Sequence, residues 1–256
     1  MNFLVSASTD IGLTKDTNQD SFVVKIVETP RGAMVFSVLC DGMGGLSNGE
    51  LASATMVHAF LRWLDNDFRR ICHAPLQDEQ IRAEWEKIIA RENRKIMEYG
   101  QQRGIKLGTT VTAALLTDER YYILNVGDTR AYEIAGESVR QITEDQTVAA
   151  REARQGRLSD EEARCDPRRS ILLQCVGASK VVQADLFFGA TRRGCVYMLC
   201  TDGFRNEISA EEIFTCFNPA ALDRADAMKR NAEYLIGLNM QRRERDNISV
   251  VLIRTY

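Results

Sequence analysis

The chain has 256 residues, of which 45% are hydrophobic and 27% charged, and its formal net charge is −3. This composition is typical of a globular protein that buries a sizeable core, and it gives no general surface for nucleic acid. No apolar run reaches the roughly 20 residues that span a membrane, and the N-terminal residues lack the pattern of a signal peptide. Seven cysteines without a Cys-x-x-Cys pair predict reduced thiols, and so a cytoplasmic protein. With only His58 and His73, neither histidine-based nucleophile activation nor a histidine-rich zinc site is expected.

The first half of the chain reads as strands, then two long helices, then strands again. Alternating apolar residues and turn chemistry predict the strands, and apolar residues at three- and four-residue steps predict the helices. Strands are predicted at 2–8, 21–27, 33–40, 108–116, 121–126, 129–134 and 138–142, and helices at 47–68 and from Pro75 to about 104.

The second half is predicted to be mostly helical around three strands. A charged, helix-prone stretch covers 145–163 and breaks at Gly156, and a capping-box sequence at Ser209 opens a short helix. Strands are predicted at 181–188, 196–200 and 247–253, and a further helix at 223–238. Short connections favour antiparallel neighbours, and no linker is visible, so we expect one α+β domain over residues 1–256.

One stretch combines a buried strand with a carboxylate and glycines. The apolar run from Val35 ends at Asp41, and glycines follow at positions 42, 44 and 45. Glycine lets the backbone approach a ligand closely, so an anchored carboxylate and nearby carbonyl oxygens could serve a hard cation. An isolated Asp-Gly-x-Gly-Gly is equally typical of an ordinary strand-to-helix turn.

Four further aspartates lie at predicted strand ends: Asp20, Asp128, Asp202 and Asp246. A single aspartate in such a place is usually a turn former or a helix cap, but five in one chain indicate a shared site. Clustered carboxylates without histidine or cysteine favour Mg²⁺ or Mn²⁺. Carboxylates shared between two ions suit a binuclear centre that activates water for in-line attack on phosphorus.

Seven short motifs then occur in a recognisable order. They are Lys15-x-x-Asn-Gln-Asp20, Asp41-Gly-Met-Gly-Gly45, Gly108-Thr-Thr110, Gly127-Asp-Thr-Arg130, Thr143-Glu-Asp-Gln-Thr147, Thr201-Asp-Gly-Phe204 and Asp246-Asn-Ile-Ser249. Together they resemble the metal-dependent protein phosphatases, the PPM or type 2C family, in its bacterial form. The resemblance implies a two-sheet antiparallel β-sandwich flanked by helix pairs, four layers in the order α-β-β-α, with a binuclear metal centre at one sheet edge.

The resemblance also implies roles for individual residues. Asp41 would bridge two Mn²⁺ or Mg²⁺ ions, the Gly42 carbonyl would bind the second, and Asp202 and Asp246 would complete the first. Asp128 matches the position that, with Asp202, holds a third ion in bacterial members. The catalytic set implied is Asp41, Asp202, Asp246 and Lys15, with Lys15 binding the substrate phosphate and Asp20 acting through water or orienting its turn.

Four positions depart from the common family pattern. Lys15 stands where an arginine clamp is usual, and lysine keeps the charge without the bidentate fork. Gln19 stands where an acidic residue is often found. Met43 stands where some eukaryotic members carry a histidine that is proposed as a general acid, and Gln146 stands where many relatives have histidine. The segment 147–176 matches the family's substrate-facing flap. It carries six arginines, most of which are expected on a solvated helical face.

We therefore expect a cytoplasmic serine/threonine protein phosphatase. Its partners would be phosphorylated proteins, the products of a serine/threonine kinase, with no nucleic acid and no membrane, and we expect a monomer. No cysteine is expected to be catalytic. Two alternatives stay open: a catalytically weak module of the same fold that binds phosphoproteins, which Lys15 and Gln19 would favour, and a small-molecule phosphatase, which shares the chemistry.

Overall fold

The computed structural model describes residues 1–44, 48–136 and 138–256. Two features named above fall outside the described residues: Gly45, the last glycine of the motif that begins at Asp41, and the start of the helix predicted from residue 47.

The strands of the described ranges build two antiparallel sheets of five strands each and one small ladder. Their bounds are β1 Phe3–Asp10, β2 Ser21–Thr29, β3 Gly32–Cys40, β4 Gly42–Gly44, β5 Leu107–Thr109, β6 Val111–Leu116, β7 Arg120–Val126, β8 Arg130–Ala135, β9 Ser138–Gln141, β10 Asp185–Ala190, β11 Val196–Cys200 and β12 Ile248–Thr255. One sheet has the order β1-β12-β11-β8-β9, the other has the order β10-β7-β6-β3-β2, and β4 pairs with β5. The antiparallel pairing expected from the short connections is confirmed.

The longer helices lie on the two outer faces of these sheets. Their bounds are α1 Gly49–Trp63, continued by a π-helical turn Leu64–Phe68 and by α2 Arg69–Ile71, then α3 Asp78–Arg103, α4 Val148–Arg154, α5 Asp160–Cys165, α6 Asp202–Arg205, α7 Ala210–Phe217, a 3-10 turn Pro219–Ala221, and α8 Ala225–Gln241. None of the helices in the described ranges has the length and apolar character needed to cross a membrane.

Three apolar cores hold the layers together. Helices α1 and α3 pack on one sheet through a ring cluster of Phe36, Phe60, Trp63 and Trp85, whose centroids lie 5.6–6.4 Å apart. Helices α7 and α8 cover the other sheet, where Phe204 and Phe217 stack. Between the sheets lies a third core that contains, among others, Val35, Leu39, Ile123, Tyr197 and Val251. The four-layer α-β-β-α sandwich is therefore confirmed.

Two local predictions are wrong. The glycines after Asp41 do not simply turn, because Gly42–Gly44 pairs with Leu107–Thr109, and the predicted strand 108–116 is interrupted at Thr110. The strand predicted from 181 begins only at Asp185, since the backbone nitrogen of Gln183 donates to Gln174 Oε1 and so turns the chain back toward the preceding loop. In both places a long-range contact overrides the local apolar pattern.

Candidate metal centre

The five predicted aspartates come together at one end of the sandwich. Asp41 follows β3 and Asp202 follows β11, whereas Asp246 and Asp20 precede β12 and β2, and Asp128 lies between β7 and β8. Desolvation, together with the charges of the other four carboxylates, raises the pKa of Asp41 well above its ordinary value. Carboxylates so crowded must share either protons or cations.

The Asp41 backbone is fixed by two threonines of the third motif. The Asp41 amide donates to Thr110 Oγ1 at 2.9 Å, and the Asp41 carbonyl accepts from Thr109 Oγ1 at 2.8 Å and from the Thr110 amide at 2.9 Å. Thr110 Oγ1 also lies 2.6 Å from Thr129 Oγ1, next to Asp128. The motif Gly108-Thr-Thr110 therefore holds the carboxylate of Asp41 in register with the Asp128 turn.

Gly42 occupies a place where no side chain fits. A Cβ built on it would collide with the backbone carbonyl oxygens of Gly49 and Gln19. The close approach brings the start of α1 against the chain that follows Asp41, so glycine is required here for packing. The Gly42 carbonyl, predicted to bind an ion, lies directly beside Asp41 in sequence.

Two carboxylate oxygens in this region lack any partner. Asp20 Oδ1 and Asp202 Oδ1 are both buried without a hydrogen bond in the described part of the chain. The other oxygen of Asp20 accepts from Thr201 Oγ1 at 3.3 Å, and desolvation raises the pKa of Asp20 to about 7. A buried polar atom without a partner is costly, so these two oxygens fit a cation as their partner.

Lys15 lies against the centre through Asp246. Its ammonium nitrogen is 2.6 Å from Asp246 Oδ1, and the two side chains are 38% and 40% exposed. Desolvation lowers the pKa of Lys15, but its hydrogen bond to Asp246 and the charges of Asp41 and Asp202 outweigh this effect and raise it above the ordinary value. The structure thus places Lys15 beside Asp246 and near the charges of Asp41 and Asp202.

The charges of this group favour bound cations. Three carboxylates, those of Asp41, Asp202 and Asp246, act on the ammonium of Lys15, and the charges of Asp20 and Asp128 also act on Asp41. Within the described ranges, no three acidic, histidine or cysteine side chains already converge on one ion position. The fit to two divalent cations therefore rests on the excess of negative charge, the two unpartnered oxygens and the all-oxygen donors.

Asp128 has a different environment, which the sequence did not predict. Its carboxylate lies 3.6 Å from the guanidinium of Arg205, and Arg205 also donates to the Asp128 backbone carbonyl at 3.2 Å. Asp145 stands 3.4 Å from the same guanidinium and binds Arg130 through two hydrogen bonds of 2.7 Å. Desolvation, with the nearby charge of Asp202, raises the pKa of Asp128 to about 7 against the opposing charge of Arg205.

Gln146 connects the Asp128 turn with the segment 147–176. Its Oε1 accepts from the Gly127 amide at 2.8 Å and from Gln174 Nε2 at 2.9 Å, and its Nε2 donates to Asp185 at 2.7 Å. Its backbone carbonyl also accepts from the Leu173 amide at 2.8 Å. A ring nitrogen of histidine has a single lone pair, so it could not accept both hydrogen bonds that Gln146 Oε1 accepts. The side chain of Gln146, although it departs from the common family pattern, therefore fits the contacts of this fold.

Most arginines of the segment 147–176 pair with carboxylates nearby. Arg154 reaches Glu144 at 2.7 Å, Arg157 reaches Glu152 at 3.0 Å and Arg168 reaches Asp166 at 2.8 Å, all on the surface. These pairs fit the solvated face expected for most of the arginines.

Comparisons with known proteins agree with this architecture. Residues 14–233 match the family model "Protein phosphatase 2C". The chain is 30% identical over 254 residues to the protein phosphatase PhpP of Streptococcus pneumoniae, covering 97% of this chain and 96% of that protein. It is 31% identical over 221 residues to the serine/threonine phosphatase stp of Listeria innocua, covering 84% and 82% of the two chains.

Solved structures show the same similarity in three dimensions. The serine/threonine phosphatase of S. agalactiae superposes with a TM-score of 0.83 at 28% identity, with full coverage of both chains. The catalytic domain of the serine threonine protein phosphatase PstP, in complex with two manganese ions, superposes with a TM-score of 0.77 at 27% identity over 98% and 97% of the chains. The chain belongs to the protein phosphatase 2C family. It is, by that membership, a metal-dependent serine/threonine protein phosphatase.

Proposed function

We propose that the chain removes phosphate from phosphoserine and phosphothreonine side chains of proteins, using two Mn²⁺ or Mg²⁺ ions. Asp41, the Gly42 carbonyl, Asp202 and Asp246 would hold the ions, and Asp20 would orient its turn or act through water. The observation that carries this assignment is the crowding of carboxylates around Asp41, beside Lys15, with two buried oxygens that have no partner in the described part of the chain. The bound ions would supply Lewis-acid activation of water and neutralise charge on the phosphoryl group.

The protein residues fix the geometry of this chemistry. Thr109 and Thr110 hold the Asp41 backbone, so its carboxylate does not have to reorganise when the site is used. Lys15 supplies the cation nearest to the substrate side of the group, and its release from Asp246 would free the ammonium for a phosphate oxygen. Met43 offers no proton, so water would protonate the leaving alkoxide.

The substrate side of the site would be completed by the segment 147–176. Its attachment through Gln146 to the turn that carries Asp128 supports this assignment, because substrate contacts there would lie beside the carboxylates. We further propose that the protein acts in the cytoplasm, as a monomer, on phosphoproteins made by a serine/threonine kinase. The seven free cysteines support a reducing compartment.

The test is phosphate release from phosphoserine, phosphothreonine and phosphotyrosine peptides and from small phosphate esters, with Mn²⁺, with Mg²⁺ and with EDTA. We expect metal-dependent hydrolysis of the first two peptides that is lost in Asp41→Asn, Asp202→Asn and Asp246→Asn. Asp65→Asn, which alters an exposed aspartate in the π-helical turn after α1, is the matched control and should keep wild-type rates. Activity in EDTA would refute the metal-dependent mechanism, and a preference for small esters would identify a small-molecule phosphatase. Mn²⁺ binding without hydrolysis would indicate a binding module.

A further inference from the structure

Two neighbouring carboxylates of the candidate metal centre differ in what faces them. Asp202 Oδ1 is buried and has no hydrogen-bond partner in the part of the chain that the structure describes. Asp128, by contrast, has an arginine beside its carboxylate, with Arg205 Nη2 at 3.6 Å from Asp128 Oδ2. One carboxylate is therefore ready for a cation, and the other already has one.

Arg205 is held firmly in this position. Its side chain is only 12% exposed, and it lies in α6 one helical turn after Asp202, so the two residues rise from the same side of that turn. The same nitrogen that faces the Asp128 carboxylate also donates to the Asp128 carbonyl at 3.2 Å and lies 3.4 Å from Asp145. Three contacts at one nitrogen make it costly for the guanidinium to leave.

Asp128 lies among charges of both signs. Two carboxylates, Asp128 and Asp145, face two guanidinium groups, Arg130 and Arg205. On the other side of Asp202, Lys15 pairs with Asp246 and lies near the charge of Asp41. Arginines of the protein itself therefore offset part of the negative charge beside Asp128, so a divalent cation is favoured less there than beside Asp41 and Asp246.

We propose, on the basis of the function proposed above, that Arg205 is a built-in counter-ion of Asp128 that weakens the binding of a divalent cation to this carboxylate. Guanidinium stays protonated at every pH at which the protein is folded, so its repulsion of a nearby cation cannot be relieved by loss of a proton. Charges that approach within a few ångströms in a partly buried site interact more strongly than they do in water. Arg205 is thus a positioning residue that determines how many ions the centre binds tightly.

The experiment is a calorimetric titration of the metal-free full-length protein with Mn²⁺. We expect the wild type to bind two ions tightly, and Arg205→Gln to bind an additional ion at least about tenfold more tightly than the wild type does, because one opposing charge is gone. Arg205→Lys keeps the charge and should retain the wild-type isotherm. Arg242→Gln removes an arginine that pairs with Glu212 on the surface, and it serves as the matched control.

A second variant locates the added ion. Arg205→Gln combined with Asp128→Asn should lose the gain and return to two ions. An added ion that persists in this double variant would overturn the proposal, as would an Arg205→Gln isotherm that equals that of the wild type while the wild type still binds two ions. A wild type that binds no Mn²⁺ would instead refute the proposed function itself. If Arg205→Gln fails to fold, Arg205→Gln combined with Asp145→Asn removes one charge of each sign and takes its place in the same titration.

Discussion

At the scale of single residues, the contacts of Lys15 have two consequences for the centre. Its ammonium holds Asp246 at 2.6 Å, so in the absence of metal it serves as a cation for a carboxylate that is expected to bind an ion. A divalent ion at Asp246 would displace this contact and leave the ammonium available for phosphate. Lysine can make this exchange because it is a compact charge on a flexible stem, whereas arginine would keep a bidentate grip.

We expect Lys15→Ala to lower kcat/KM for a phosphothreonine peptide by about ten- to a hundredfold, because a charge-assisted contact contributes roughly 1.5–3 kcal/mol. Its affinity for Mn²⁺ should not fall, since removal of the ammonium also removes a competitor for Asp246. Lys25→Ala, on the exposed face of β2, is the matched control. Steady-state kinetics and metal titration measure both quantities, and a loss of Mn²⁺ affinity in Lys15→Ala would show that the lysine supports the ion rather than the phosphate.

At the scale of secondary-structure elements, the same capping motif occurs in two different settings. The side chains of Ser209 and Ser159 each accept a hydrogen bond from the backbone amide three residues later. In return, the backbone amide of each serine donates to the carboxylate of that later residue, Glu212 or Glu162. Helix α7 buries Ile213 and Phe217, whereas α5 buries no residue. The two caps are chemically equal, but only one belongs to an element that is packed on a core.

Ser209→Ala should therefore lower the free energy of unfolding by about 1 kcal/mol, the usual cost of losing an N-terminal cap. Ser159→Ala should leave global stability within about 0.3 kcal/mol, because α5 can open locally without unfolding the sheets. Urea unfolding followed by far-UV circular dichroism gives both values. Equal losses in the two variants would mean that the segment 147–176 unfolds together with the rest of the domain.

Gln146 gives a second prediction at this scale, because it joins the Gly127 amide and Gln174 through one oxygen. Gln146→Ala should speed amide hydrogen exchange in residues 171–174 and at Gly127, while exchange in the sheet cores stays unchanged. Gln183→Ala is the control, because its contacts to Gln174 use only its backbone and survive the change. Faster exchange confined to one of the two regions would show that Gln146 does not couple them.

The limits of sequence interpretation also appear at this scale. The strand β11 and the hairpin that joins β2 to β3 were predicted closely, because apolar alternation and turn residues decide them locally. The pairing of Gly42–Gly44 was missed because its partner lies more than 60 residues away and glycine carries no strand pattern. Arg205 was missed for a similar reason. Nothing in Thr201-Asp-Gly-Phe204 indicates that the next side chain folds back onto Asp128.

At the scale of the whole molecule, the metal-free centre is a source of instability. Four aspartates, Asp20, Asp128, Asp202 and Asp246, surround Asp41, and their charges add to desolvation in raising its pKa. The resulting repulsion is balanced by the three cores of the sandwich, and a bound ion would relieve it. Because the ion binds the folded chain and not the unfolded chain, it raises the free energy of unfolding by an amount that depends on the ion concentration.

We expect saturating Mn²⁺ at about 100 times its Kd to add roughly 2.7 kcal/mol, and so to raise the Tm by about 5–10 °C above the value in EDTA. Asp41→Asn should differ from the wild type in its Tm without metal and in its response to Mn²⁺. It should melt at a higher temperature than the wild type in EDTA, because it removes one of the crowded charges, and it should lose most of the Mn²⁺-induced shift. Differential scanning calorimetry with and without metal measures this, and a lower Tm for Asp41→Asn in EDTA would show that the crowding is not a net cost.

The position of β12 has a consequence for how the enzyme is made. This strand lies between β1 and β11, so the first strand of the sheet pairs with a strand near residue 255, with Phe3 opposite Thr255. Asp246 enters the centre just ahead of the same strand. During translation, a chain whose residues 246–255 are still inside the ribosome therefore has an open sheet and an incomplete set of carboxylates. A chain that lacks β12, or that has not yet inserted it into the sheet, would therefore have no phosphatase activity.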